Sequence, residues 1–72
     1  MLPVVSGQEV INALTKLGYE KDRQRGSHVI MRQISIPHRR ITVPNHKEIS
    51  RGTLRAIIRE SGLSVEDFIK LL

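Results

Sequence analysis

No cysteine and no tryptophan occur in the 72 residues, and there is a single Tyr and a single Phe. Without Cys the chain has no disulfide framework, no Cys-ligated zinc or iron–sulfur centre and no thiol catalysis. Two aromatics, Tyr19 and Phe68, cannot build a base-stacking platform, which argues against an RRM-like or OB-like reader of single strands. Acids are scarce as well, seven Asp and Glu against twelve Lys and Arg, for a formal net charge of +5. No apolar run exceeds the three residues of Ala56-Ile57-Ile58, far short of a membrane span. The start, Met1-Leu2-Pro3-Val4-Val5, has neither the basic region nor the apolar length of a signal peptide. The expectation is one small domain over residues 1–72, soluble and cytoplasmic, with a thin core and no covalent reinforcement.

What is present is unevenly placed. Residues 1–20 carry a net −1 and residues 60–72 a net −2, whereas residues 21–59 carry +8. Only Asp22 and Glu48 oppose ten basic residues in that middle stretch, and eight of the twelve basic residues in the chain are Arg. A guanidinium presents a planar fork that binds phosphate bidentately, as an ammonium cannot. A solvated face kept for solubility is the simpler explanation, but acids serve solubility better and here they are kept out. The pattern favours a polyanion-binding face.

Local signals place this charge on a framework. Ser6-Gly7-Gln8-Glu9 is a capping box, and Val10, Ile11, Leu14 and Leu17 follow at helical spacing until Gly18. Tyr19 to Arg25 suits an edge strand, Gly26-Ser27 a tight connection, and His28 to Gln33 a second strand. In that strand Val29 and Met31 share one face, with His28, Ile30 and Arg32 on the other. Pro37-His38-Arg39 predicts a turn, and Arg40 to Val43 a third strand closed by Pro44. Ser50 caps a second helix with Leu54, Ile57 and Ile58 inward and Arg51, Arg55 and Arg59 outward, closed by Gly62. Ser64-Val65-Glu66-Asp67 opens a short third helix that returns Phe68 and Leu71 to the core. The fold class is α+β: two helices over one face of a three-stranded antiparallel sheet, with a short C-terminal helix.

Three histidines, His28, His38 and His46, lie in the basic stretch. Histidine titrates near neutrality and is the first candidate for proton transfer. His28 follows the Gly-Ser turn, begins a strand, and has Arg23, Arg25 and Arg32 nearby in the chain. A metal site built from the three histidines fits no standard ligand spacing and has no acidic partner. Paired carboxylates for two-metal nuclease chemistry are missing, as are phosphate-binding glycine loops and nucleophile elbows. What remains is metal-free acid–base chemistry on a phosphodiester, or plain binding. The RNA 2′-hydroxyl can attack its own phosphate while His moves the proton and Arg steadies the charge; DNA has no such hydroxyl.

The helix ending Leu17-Gly18-Tyr19, then Arg25-Gly26-Ser27-His28 and Val43-Pro44-Asn45-His46, resembles the HicA family of mRNA interferase toxins. Gly52-Thr53-Leu54-Arg55-Ala56-Ile57-Ile58 and Ser61-Gly62-Leu63-Ser64 extend the resemblance, which runs from about Ser6 to Leu72. It implies a double-stranded-RNA-binding-domain-like fold and metal-independent, cofactor-free cleavage of mRNA that blocks translation. The essential His of the Gly-Ser-His motif falls on His28. It also implies a HicB-type antitoxin that covers the active face and contacts operator DNA on the toxin's behalf. The segment Ile34-Ser35-Ile36-Pro37-His38 is less polar than the family's usual hairpin, and Lys47-Glu48-Ile49-Ser50-Arg51 is less basic.

On this basis His28 is the expected general base or acid, positioned by Gly26 and Ser27, with His46 as its accessory partner. Arg23, Arg25 and Arg40 are expected phosphate contacts, and Lys47, Arg51, Thr53 and Arg55 a second set on and before the second helix, whose first turn offers free amides. Two other readings stay open at this level. One is a non-catalytic module of the same fold that recognises structured RNA by shape. The other is a basic face that docks an acidic protein.

Overall fold

A computed structural model describes residues 2–72. Helix α1 (Gly7–Lys16) is followed by strands β1 (Tyr19–Arg25), β2 (His28–Gln33) and β3 (Arg40–Pro44), then helices α2 (Arg51–Ser61) and α3 (Val65–Ile69). The α+β class and the element order agree with the sequence expectation, and β3 runs one residue further, to Pro44.

Each helix begins where a serine hydroxyl replaces a missing helical acceptor. Ser6 Oγ accepts from the Glu9 N–H (3.1 Å) and Glu9 Oε1 accepts from the Ser6 N–H (2.9 Å), both halves of the capping box. Ser50 accepts from the Thr53 N–H at 3.3 Å and Ser64 from the Asp67 N–H at 3.1 Å. Gly62 ends α2 in the left-handed region, at φ +80°.

The strands form an antiparallel sheet in the order β1-β2-β3. Val29, Met31, Ile41 and Val43 turn towards the helices and are buried, so His28, Ile30, Arg32, Arg40 and Thr42 lie on the opposite, open face. On β1 the pairing shifts by one residue between Lys21 and Arg23, leaving Asp22 as a bulge. That shift decides which face the next arginines occupy. Strict alternation would put Arg23 and Arg25 on the same face as the buried Tyr19. With the bulge, Arg23 stands opposite Ile30 and Arg25 opposite His28, on the open face.

The core holds fifteen buried hydrophobic residues centred between the sheet and α1, α2 and α3. Three of them, Leu2, Val5 and Ile49, come from segments outside any helix or strand. They seal the edge of the core where the N-terminal segment meets the β3–α2 connection, with the Ile49 N–H donating to the Val5 carbonyl at 2.8 Å. Tyr19 departs most from expectation. Read from sequence as part of a half-wet edge strand, it is 2% exposed.

The Tyr19 hydroxyl is buried with no hydrogen-bond partner among the described residues. Burial raises its pKa, Arg39 pulls it back and Glu60 raises it further. Because the folded-state pKa lies above the ordinary value, folding holds the phenolic proton. Stability from this group is therefore complete below about pH 10 and falls as pH rises beyond it. Tyr19→Phe is expected to leave neutral-pH stability unchanged or raise it by up to about 1 kcal/mol. It should also flatten the alkaline loss, as read by denaturant unfolding at neutral and alkaline pH.

Candidate active site

The turn Arg25-Gly26-Ser27-His28 joins β1 to β2 with two central residues, and Arg25 and His28 are its closing pair. Gly26 has φ +58° and is the first central residue, the position that a type II′ hairpin turn reserves for glycine. A side chain there would be strained, so the motif needs this glycine to bring His28 directly onto the strand. His28 is exposed, and its ring makes no hydrogen bond among the described residues.

The turn is anchored to a segment far along the chain. The Ser27 carbonyl accepts from the Asn45 N–H at 2.7 Å, and Ser27 Oγ lies 3.3 Å from His46 Nε2. His46 therefore stands beside the residue that precedes His28, although 18 positions separate the two histidines in sequence. The same segment is held from behind by α1. The Gly7 N–H donates to the His46 carbonyl at 2.8 Å. A side-chain carbon on Gly7 would meet Asn45 Cα and the Pro44 carbonyl oxygen, each at 2.5 Å. In the sequence Gly7 reads only as part of a cap; its second task, close backbone approach, leaves no signal in a single sequence.

Charge on the open face is graded along the strands. At the turn end Arg25, His28 and Pro44 stand in one row across the sheet, and Arg23, Ile30 and Thr42 in the next, with no acid in either. At the far end the row is Glu20, Arg32 and Arg40, and the Arg40 Nε donates to Asp22 Oδ2 at 3.2 Å. Arg40 is thus on the open face but held by a carboxylate, whereas Arg23 and Arg25 have no ion pair among the described residues.

The second set of expected contacts is dispersed. Lys47 and Arg51 are exposed at the approach to α2. The far end of α2 lies by β3's beginning, with the Arg39 guanidinium 3.9 Å from where a Gly62 side chain would start. The first turn of α2 therefore lies towards the β1–β2 turn. Thr53 uses its N–H and its hydroxyl oxygen to bond Ser50, so both serve the helix cap. Arg55 lines a groove with Arg59 and apolar residues of α2 and α3, and no residue of the histidine cluster lines it. Arg55 therefore stands apart from the histidine cluster. The inward stripe Leu54, Ile57 and Ile58 turns Arg55 and Arg59 away from the sheet. The basic stretch is split between the open sheet face and the outer side of the helices. His38 is separate too, with φ +60° in the β2–β3 turn and its Nδ1 3.1 Å from the Gln33 carbonyl. Among the described residues no three His, Asp or Glu side chains are grouped to hold a metal ion.

The sequence profile of a family described as "HicA toxin of bacterial toxin-antitoxin" matches residues 7–63. The chain belongs to the HicA toxin family. The matched span includes Gly7, the Gly26-Ser27-His28 turn, Asn45-His46 and all of α2, so the whole anchored cluster falls within it. Membership implies a cognate antitoxin as partner. No curated protein matches the chain. Among the described residues no helix is long and apolar enough to cross a membrane.

For this HicA chain, Gly7→Ala is expected to cost about 1–3 kcal/mol, the range for forcing a methyl against packed atoms. Because the displaced atoms belong to Pro44 and Asn45, the substitution should also shift the backbone amide resonance of Ser27 in a two-dimensional NMR spectrum. A change confined to α1 would show that the junction does not transmit position to the turn.

Proposed function

We propose that this HicA-family chain is an endoribonuclease, an mRNA interferase, in which His28 performs metal-independent acid–base chemistry without a cofactor. The observation that supports this most directly is an exposed His28 on the open sheet face, in a row with Arg25 and next to Arg23, with no carboxylate in either row. On this reading His28 takes the proton from a ribose 2′-hydroxyl. The freed oxygen attacks the adjacent phosphorus and the bond to the 5′-oxygen breaks. The departing oxygen takes a proton, and the products are a 2′,3′-cyclic phosphate and a 5′-hydroxyl. Arg25 and Arg23 offset the charge that develops on the phosphoryl oxygens. His46, set against Ser27, is the candidate for the second proton transfer. Arg40, Lys47 and Arg51 then contact phosphates away from the break, whereas Thr53 serves the helix cap and Arg55 stands on the groove side of α2, away from the RNA.

The remaining roles follow from the same reading. The whole chain, residues 1–72, acts in the cytoplasm as one RNA-binding and RNA-cleaving domain and arrests translation. A HicB-type antitoxin covers the open face, and operator DNA is reached only through that antitoxin.

Incubation of the purified protein with RNA in EDTA is the direct test. Fragments ending in cyclic phosphate are expected, whereas a salt-sensitive mobility shift without fragments would instead mark a binder of structured RNA. His28→Ala should lower the cleavage rate by about 100-fold or more, the scale of a lost general acid or base, and should relieve growth arrest. Its RNA affinity should change little, because the arginines remain. Unchanged cleavage by His28→Ala would remove His28 from the chemistry.

A further inference from the structure

A groove of about 680 Å³ lies among the N-terminal segment, α2 and α3, in the helical layer and away from the open sheet face. Leu2, Ile58 and Leu63 make its floor, and Val65 adds an apolar side chain that is 40% exposed. Arg55 and Arg59, one helical turn apart on α2, stand on the rim, and Glu66 lines it too. Neither arginine has an ion pair among the described residues. We infer that this groove docks a segment of the cognate antitoxin carrying an apolar side chain flanked by carboxylates.

Two features select that occupant over RNA. An apolar floor gives a phosphate backbone nothing to bond, but it takes an aliphatic or aromatic side chain out of water. Glu66 in the lining repels a polyanion, and a short peptide can place its carboxylates on the arginine side instead. With RNA disfavoured on those grounds, the two guanidiniums one turn apart can each hold one carboxylate of the peptide by a bidentate fork. A HicB-type protein antitoxin, the partner proposed above, can supply such a segment, and this surface leaves the row of Arg25 and His28 untouched. The groove is therefore a second hold on the toxin, on the opposite side of the sheet from His28. This inference rests on family membership and on the proposed HicB-type partner, and it does not depend on the catalytic reading.

Binding of the purified cognate antitoxin is measured on full-length toxin carrying His28→Ala, so that the outcome is independent of catalysis. Arg59→Glu and, separately, Val65→Asp are added to that background, with circular dichroism and thermal melting confirming the fold. Each is expected to weaken antitoxin binding by about tenfold or more, as for loss of an interface anchor. RNA affinity, measured by mobility shift on the same proteins, should stay within about twofold for Val65→Asp. Unchanged antitoxin affinity in both folded variants would overturn the proposal. So would a loss of RNA binding with antitoxin affinity intact, which would make the groove a nucleic-acid surface. If Val65→Asp weakened both equally, the separation of the two surfaces would be wrong.

Discussion

A short relay of hydrogen bonds holds the structure's most consequential geometry: Gly7 to His46, and Asn45 and His46 to Ser27. Through it the first turn of α1 reaches the loop after β3, and that loop holds the hairpin presenting His28. The relay needs a residue without a side chain at Gly7, because Pro44 and Asn45 occupy the space where one would begin. It also needs a left-handed glycine at Gly26 to close the hairpin in two residues. Gly7 supplies close approach and Gly26 supplies conformation, and together they make a site from parts of the chain that are far apart. Val5 and Ile49 extend the same junction into the core, so its hydrogen bonds are backed by buried apolar surface.

The bulge at Asp22 does comparable work for the electrostatics. One extra residue reverses the facing of the rest of β1, and so puts Arg23 and Arg25 beside His28 instead of beneath the helices. The same residue supplies the carboxylate that engages Arg40. One acid thus produces both the exposed positive charge at the turn end and its partial neutralisation at the other. Excess charge is left where a reacting phosphate would need it, and the far end of the face is nearly balanced by Glu20 and Asp22.

Much of the framework was legible in the sequence because its signals are local. Ser6, Ser50 and Ser64 start helices by bonding an amide three residues ahead, Gly62 ends one by its own conformation, and the alternation in β2 and β3 needs only a pleat. The burial of Tyr19 was not legible, since a lone aromatic at a strand start reads the same whether the sheet covers it or not. Nor was the role of Leu2, Val5 and Ile49, which lie outside every periodic segment yet close the core.

The candidate site divides along the same line. Sequence alone determined which residue types were available: three histidines among eight arginines, few acids, no cysteine, and a Gly-Ser-His turn that resembles one family. Charge counted along a chain carries no direction, however, so the +8 stretch read as a single surface. Tertiary structure decided that Arg23 and Arg25 join His28, that Arg40 is held by Asp22, and that Arg55 turns to a groove on the helical side. It also brought His46 to Ser27 and set His38 apart. The physical reason is common to all of these. Caps and alternation act over two to four residues, whereas strand register, a bulge and the close approach of two backbones depend on which distant segments pack together.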